Sequence, residues 1–448
     1  MKIFSTLIKP RKATNSLLKT LFIFFLVIAQ TSIYSGCSTS NREVTNGDAL
    51  TQVERTSFPT SSVSQTEGIK TPSVCWDNLP SNDNIFQTKG SLVYYDDDRK
   101  EVVIWDIKSF NKRHLNKINS GQVYISNDGS IIAALSNSPQ NNKLRLVTSS
   151  NEKTVTMPDE YYFDGFVSEN RIKLRNPKTF NQTNSVENKM SVDQYYLINP
   201  DGVELIPQST SLPYLYTGGD SRDQYIIYSP NLNFAIYAAN YEGKSTNVIV
   251  NTKSNQVIWN GGHAFISFRP VWKPDSNFVT IIQNNNLSTD QNIYNISLDG
   301  EVIQLTHVEK LFNLPYDIHN LIWSPDGRYL AFRVDLSPKS VESAQNNLLL
   351  IFDSQTGKLL NPCVSLGVNG FYDQYLRVVW SFDSTNITFL KPGSAFTYFN
   401  DNDILTTIPS IDPKIIILDI HEEHIYTLDH SPIAGPMELF GWVNWENP

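Results

Sequence analysis

Between Leu321 and Phe332 the chain reads LIWSPDGRYLAF, and altered copies of this stretch return along most of its 448 residues. One short device repeating every ~40 to 60 residues constrains the fold more than any composition, because it demands an architecture assembled from similar units. The device is a turn. Ser324 suits the first position of a type I turn, Pro325 has the φ the second requires, Asp326 bonds to nearby backbone, and Gly327 takes the left-handed conformation. Trp323 ends one strand and RYLAF begins the next, so the stretch is a hairpin closed by a glycine bulge.

The copies are YISNDGSIIAAL (Tyr124 to Leu135), YSPNLNFAIYAA (Tyr228 to Ala239), WKPDSNFVTII (Trp272 to Ile282) and WSFDSTNITFL (Trp380 to Leu390), with a weaker FVSENRIKL from Phe166 to Leu174. Ser276 and Ser384 replace the glycine with another small turn residue. Each copy is followed by a second hairpin, such as NVIVNTKSNQVIW or LLLIFDSQTGKLL. Four strands per unit make a propeller blade.

The two ends supply complementary fragments. KGSLVYYDDDRKEVVIWDIKSFNKRHL (Lys89 to Leu115) matches a unit without its first strand, and LFGWVNWENP matches a first strand that stops at its turn. Trp445 then stands where Trp323 does, and Gly90 where Gly327 does. One blade is shared between the termini, which removes a free sheet edge. The expected fold is all-β: a β-propeller of seven four-stranded blades, spanning residues 76–448.

These residues resemble the TolB-like, WD40-like propeller repeats of bacterial envelope proteins, whose hallmark is W-S-P-D-G-(K/R)-x-(I/L)-A-(F/Y). Trp323 to Phe332 matches it at every position, and the resemblance covers the chain from Asn84 to Trp445. It implies a fold far more than a function, since such repeats occur in partner-binding proteins, peptidase appendages and a few lyases. The best-known members have six blades, one fewer than the count here.

Residues 1–36 form an expected export signal: Lys2, Lys9, Arg11, Lys12 and Lys19 lead into the apolar run Leu21 to Ala29, which is short for a membrane-spanning helix. Ser35-Gly36-Cys37 resembles a bacterial lipobox, in which the cysteine is acylated and becomes the new N-terminus, although Tyr34 stands where that motif has Leu. Ordinary signal-peptidase cleavage and an uncleaved anchor are the alternatives. Residues 37–75 are polar and nearly free of large apolar side chains, as in a flexible tether, with a reach of about 30 Å. Loss of the five positive leader residues takes the formal charge from −9 to −14. Such a surface argues against nucleic acid, whose binding depends on Lys and Arg neutralising phosphates. With Cys37 lipidated, Cys75 and Cys363 remain; outside the cytoplasm they form a disulfide or stay as two buried thiols.

No motif assigns a catalytic residue, cofactor or metal. His421-Glu422-Glu423-His424 flanks a turn between strands, whereas helical zinc motifs set two histidines one turn apart. Asp96-Asp97-Asp98 and Asn400 to Asp403 lack the spacing of a calcium loop. There is no G-x-S-x-G elbow, and the repeats leave no length for a hydrolase domain. Trp272, Trp323, Trp380 and Trp445 share one repeat position and are expected in the core between blades. By contrast, the connections from second to third strand and from fourth strand to the next blade are long and aromatic, and they emerge on one face. Tyr214, Tyr216, Phe312, Tyr316, Phe371, Tyr372, Tyr375, Phe396, Tyr398 and Phe399 are the partner-binding candidates. The expected function is a non-enzymatic, membrane-anchored lipoprotein of the cell envelope, monomeric, that binds a protein or glycan through this face. The alternative is a polysaccharide lyase or hydrolase with a metal in the central channel, held by histidines such as His263, His307 and His319.

Overall fold

A computed structural model of the protein describes residues 75–80, 89–96, 99–116, 118–136, 143–159, 161–175, 181–184, 189–200, 205–213, 226–261, 270–284, 291–312, 315–336, 347–366, 378–391, 396–399, 405–408, 414–428 and 437–445. The export signal, Cys37 and the tether as far as residue 74 lie outside the described residues.

Short alternating runs give short strands. A first strand, β1 (Asp77–Pro80), is followed by β2 (Ser91–Asp96), β3 (Glu101–Trp105) and β4 (Lys112–Asn116), three strands of blade 1. Blade 2 is β5 (Ile118–Ile125), β6 (Ile132–Ser136), β7 (Lys143–Val147) and β8 (Glu152–Thr156). Blade 3 runs β9 (Tyr162–Phe166), β10 (Ile172–Arg175), β11 (Asn181–Asn184), β12 (Lys189–Ile198) and β13 (Leu205–Pro213), with β11 an addition paired to the first half of β12. Blade 4 is β14 (Ile227–Tyr228), β15 (Phe234–Tyr241), β16 (Lys244–Asn251) and β17 (Val257–Gly261); blade 5 is β18 (Val271–Trp272), β19 (Phe278–Asn284), β20 (Gln291–Ser297) and β21 (Val302–Gln304). Blade 6 is β22 (Tyr316–Trp323), β23 (Tyr329–Leu336), β24 (Asn347–Asp353) and β25 (Lys358–Leu360). Blade 7 is β26 (Val379–Trp380), β27 (Asn386–Lys391), β30 (Lys414–Asp419) and β31 (His424–Leu428), and a separate hairpin of β28 (Phe396–Phe399) and β29 (Leu405–Ile408) lies between β27 and β30 in the chain. The last strand, β32 (Met437–Val443), pairs antiparallel with β2 and completes blade 1.

Seven four-stranded blades therefore form a closed ring, with the closing blade shared between the chain ends. Each strand alternates its side chains between the two neighbouring blades. In β23, Leu330 and Phe332 face blade 5 while Tyr329 and Ala331 face blade 7. Seven hydrophobic clusters result, one for every pair of neighbours, including the pair of blades 7 and 1. Fully burying each large apolar side chain contributes roughly 1.5–3 kcal/mol.

The repeated turn has one hydrogen-bond pattern in five blades. In blade 6, Ser324 Oγ donates to Asp326 Oδ1 at 2.5 Å and accepts from the Tyr329 N–H at 2.9 Å, while the Gly327 N–H donates to the Ser324 carbonyl at 2.8 Å. Ser126, Ser229 and Ser381 do the same in blades 2, 4 and 7, and Lys273 keeps only the backbone part in blade 5. The fourth turn position is left-handed in all five: Gly129 (φ +70°), Leu232 (+62°), Ser276 (+64°), Gly327 (+70°) and Ser384 (+63°). The two serines have a compensating bond. Ser276 Oγ accepts from the Asn231 N–H at 3.1 Å and Ser384 Oγ from the Asp326 N–H at 3.0 Å, each tying its turn to that of the preceding blade. Ser384→Ala is therefore expected to cost about 1 kcal/mol, since it keeps the unfavourable φ and loses the bond. Ser384→Gly loses the bond but relieves the backbone and should come close to neutral. Guanidinium chloride midpoints of the two variants check the order; a more stable alanine variant would contradict it.

Blade 1 has no such turn, because its first strand is β32 and its second is β2, far apart in the chain. Phe382, in the place of Pro325, fills the gap: a Cβ on Gly90 would lie 2.7 Å from the Phe382 ring, and one on Gly129 would lie 3.0 Å from Phe382 Cβ. Asn444 completes the junction by donating its N–H to the Gly129 carbonyl and its Nδ2 to the Asp128 carbonyl, both at 3.0 Å.

The register corrects two expectations: with Leu92 in the place of Leu330, Gly90 falls at the position of Arg328 and not of Gly327. Trp442, not Trp445, holds the place of Trp323: Trp442 pairs with Leu92 as Trp323 pairs with Leu330. Trp442 donates its indole N–H to Thr388 Oγ1 of blade 7 at 2.9 Å, as Trp323 does to Thr280 Oγ1 of blade 5. Trp445 reaches the other way, to the Ser130 carbonyl of blade 2. Both tryptophans are apolar surface at a strand end, so sequence spacing alone did not choose between them. β1, which the repeat pattern did not announce, adds in parallel to the outer edge of β31 as a fifth strand of blade 7.

Candidate functional site

In an antiparallel blade the turns from first to second and third to fourth strand share one face of the ring. Among the described residues that face is finished by tight turns with internally satisfied polar groups. The C-to-D turn of blade 7 is typical: the His421 and Glu422 N–H groups both donate to Asp419 Oδ1, at 2.9 and 3.0 Å. His421 and His424 thus flank a turn.

The opposite face is uneven. In blade 3, β10 pairs with β12 only from Tyr195 to Ile198, while β12 and β13 continue together to Met190 and Pro213. In blade 7 the second-to-third-strand connection includes the β28–β29 hairpin, with Phe396 opposite Ile408, Tyr398 opposite Thr406 and Phe399 opposite Leu405. Three of the ten partner-binding candidates therefore stand on one strand of this hairpin. Tyr214, Tyr216, Phe371, Tyr372 and Tyr375 lie outside the described residues, as do His263, Asp97, Asp98 and residues 400–403.

Phe312 and Tyr316 belong elsewhere. Tyr316 is 7% exposed, packs between blades 5 and 6, and donates its hydroxyl to the Gln291 carbonyl at 3.0 Å; Phe312 is partly buried against the same cluster. Tyr316 stands at the start of β22 and not in a connection. A β-bulge at Asn320 (φ +55°) resets the alternation and lets pairing run on to Tyr316 opposite Leu336.

His307 Nδ1 lies 3.1 Å from Glu309 Oε1, and His319 Nε2 lies 3.6 Å from Asp335 Oδ2. Asp96 is buried and accepts from the Arg99 N–H. Among the described residues no three His, Cys, Asp or Glu side chains gather as metal ligands would.

A dense group of ionisable side chains escaped the sequence. It lies between blades 3 and 4, where Lys173, Arg175 and Asp193 are all nearly inaccessible. Lys173 Nζ lies 2.7 Å from Asp164 Oδ2 and 3.9 Å from Asp193 Oδ2, and Arg175 Nε lies 3.4 Å from Asp193 Oδ1. Tyr228, on the innermost strand of blade 4, donates its hydroxyl to Asp193 Oδ2 at 2.8 Å. The Lys173 ammonium also sits 4.1 Å from the ring centre of Tyr228 and 4.8 Å from that of Tyr195. A bulge in β9 inserts Asp164, opposite the Lys173–Leu174 step, and so turns its carboxylate toward Lys173. Burial and then the negative Asp193 push the Tyr228 hydroxyl well above its ordinary pKa. Burial alone would lower Arg175, but attraction to Asp193 and Asp164 outweighs it and holds the guanidinium above its usual value. Two cations face two carboxylates, so the network is charge-balanced, which is what makes its burial tolerable.

Sequence offered one clue. Lys173 occupies the repeat position of Ala331 in blade 6, which Val93, Ala133, Ile236, Thr280 and Thr388 fill in the other blades. A single charged residue in that series marks a polar interface.

No family model matches the chain, and no curated protein matches it. Among solved structures, TolB from Acinetobacter baumannii is 13% identical with a TM-score of 0.36, over 83% of this chain and 98% of that one. The β-propeller domain of the Trilobed protease from Pyrococcus furiosus is 10% identical with a TM-score of 0.43, over 78% and 94%. The Pyrococcus horikoshii acylaminoacyl peptidase is 11% identical with a TM-score of 0.44, over 77% of this chain and only 53% of the peptidase. With TM-scores below 0.5 these likenesses carry no argument; the chain's own strand order places it among the seven-bladed β-propellers.

Proposed function

We propose that the protein is a non-enzymatic, envelope-tethered propeller that binds a protein or glycan through the face carrying the β28–β29 hairpin. The observation that carries this reading is the contrast between the two faces. Among the described residues one is closed by repeated short turns; the other bears the separate β28–β29 hairpin of blade 7 and the β11–β12 extension of blade 3. Loops and hairpins held by a rigid scaffold are where recognition concentrates. The leader sequence supports the envelope address, and the acidic mature charge supports a partner other than nucleic acid.

A photo-crosslinking residue placed at Tyr398 and, separately, at Glu422 tests the reading in cells. Covalent adducts are expected from Tyr398 and not from Glu422, which lies on the tight-turn face. Adducts from Glu422 alone, or equal yields from both, would overturn it.

A further inference from the structure

β1 is an addition that ring closure does not require. It pairs in parallel with β31 over four residues, from Asp77 opposite His424 to Pro80 opposite Thr427, while β32 has already shut the ring through blade 1. So short a parallel ladder on an outer edge is weak. Two neighbouring residues anchor it. Trp76, 5% exposed, packs into the cluster shared by blades 6 and 7, and its indole N–H is buried with no hydrogen-bond partner among the described residues. That unmet donor subtracts from what the ring contributes. Cys75 is disulfide-bonded to Cys363, 288 positions away in sequence, with the Cα atoms 5.2 Å apart.

Cys363 sits at a break in the outermost strand of blade 6. β25 leaves β24 after Leu360, and the chain rejoins β24 where the Leu349 N–H donates to the Val364 carbonyl and the Leu366 N–H to the Asn347 carbonyl. Within the break Cys363 takes φ +58°, a backbone that L residues adopt with strain, and its N–H donates to Asn361 Oδ1 at 2.8 Å. Both cysteines are exposed, which opens their sulfurs to thiol attack.

We propose that the Cys75–Cys363 disulfide is a redox-operated clasp that pins β1 to the outer edge of blade 7, and that its reduction frees residues 75–80 while leaving the seven-bladed ring closed. The reductant is a dithiol. Its thiolate attacks one protein sulfur to give a mixed disulfide, and its second thiol then closes the reductant's own disulfide. Two electrons and two protons pass to the protein, which is left with Cys75 and Cys363 as thiols. β31 then becomes an open sheet edge, the kind of surface that accepts an extended segment.

The test is amide hydrogen exchange on the full chain carrying Cys37→Ser, with and without dithiothreitol. Reduction should speed exchange in residues 75–80 and in β31 about tenfold or more, with the β2 and β32 amides unchanged. A Cys75→Ser, Cys363→Ser double variant should show the same pattern without reductant. Unchanged protection of β1 in the reduced protein would overturn the clasp, as would a bond that dithiothreitol leaves intact in the folded state. Simultaneous loosening of β2 and β32 would overturn the claim that clasp and ring are separate.

Discussion

Asp193→Ala is expected to lower stability by about 3–5 kcal/mol, because it breaks a buried charge network from one side. Asp193 is fully buried and touches three partners: Arg175, Lys173 and the Tyr228 hydroxyl. Its removal leaves two buried cations facing the single carboxylate of Asp164 and takes the acceptor from the Tyr228 O–H. A charge-balanced pair, Asp193→Leu with Lys173→Met, should restore most of the loss, since apolar replacement of a whole buried ion pair is commonly neutral. Tyr228→Phe removes one hydrogen bond to a carboxylate and should cost about 1.5–3 kcal/mol. Guanidinium chloride midpoints measure all three. An Asp193→Ala loss below about 1 kcal/mol would mean that the network is solvated and that blades 3 and 4 do not meet as described.

Trp442→Ala should be similarly damaging, at about 3–5 kcal/mol. The side chain is 2% exposed, packs in the cluster joining blades 7 and 1, and bonds to Thr388 Oγ1. Trp442→Phe keeps most of the packing and loses the N–H bond, so about 1 kcal/mol of additional loss belongs to the bond itself. The comparison with Trp323→Ala is informative, because Trp323 occupies the same place in a blade made from continuous chain. Trp442 instead holds a strand contributed by the chain's last residues. The alanine variant at 442 should therefore also raise proteolysis within β32, and that at 323 should not. Equal protease resistance of the two would count against a ring shut by the C-terminal strand.

The turns made the fold legible. A serine or lysine, then proline, asparagine or (in blade 7) phenylalanine, then an acidic or amide residue, then a left-handed position, is chemistry that sequence displays directly, and five blades could be placed from it. Leu232 shows where that signal fades: its φ of +62° is imposed by the turn around it, since leucine has no preference for that backbone. The shared blade was legible for the same reason, but its register was not. Trp442 and Trp445 differ only in which neighbour they face, a property of pairing rather than composition. The setting of Tyr316 was not legible, because a bulge at Asn320 extends β22 and carries this aromatic residue from an expected loop into the core. The ionic network was hidden because Asp193 lies ~20 residues from Lys173, and only the sheet brings them together. Lys173 at the position of Ala331 was the visible half of that signal. Of the candidate binding face, sequence located the hairpin of blade 7 as an aromatic connection but gave no pairing for it.

Ring closure by the two ends of the chain is the claim on which the rest depends, and a cysteine pair tests it most directly. Ser91 stands opposite Val443 in the β2–β32 ladder. Full-length protein carrying Ser91→Cys, Val443→Cys and Cys37→Ser should form an intramolecular crosslink under mild oxidation, seen as a new disulfide-linked peptide pair in the monomer by mass spectrometry. Thiols that stay free, or that link only between chains, would show that the terminal strands do not meet and that the blades form an open array instead of a ring.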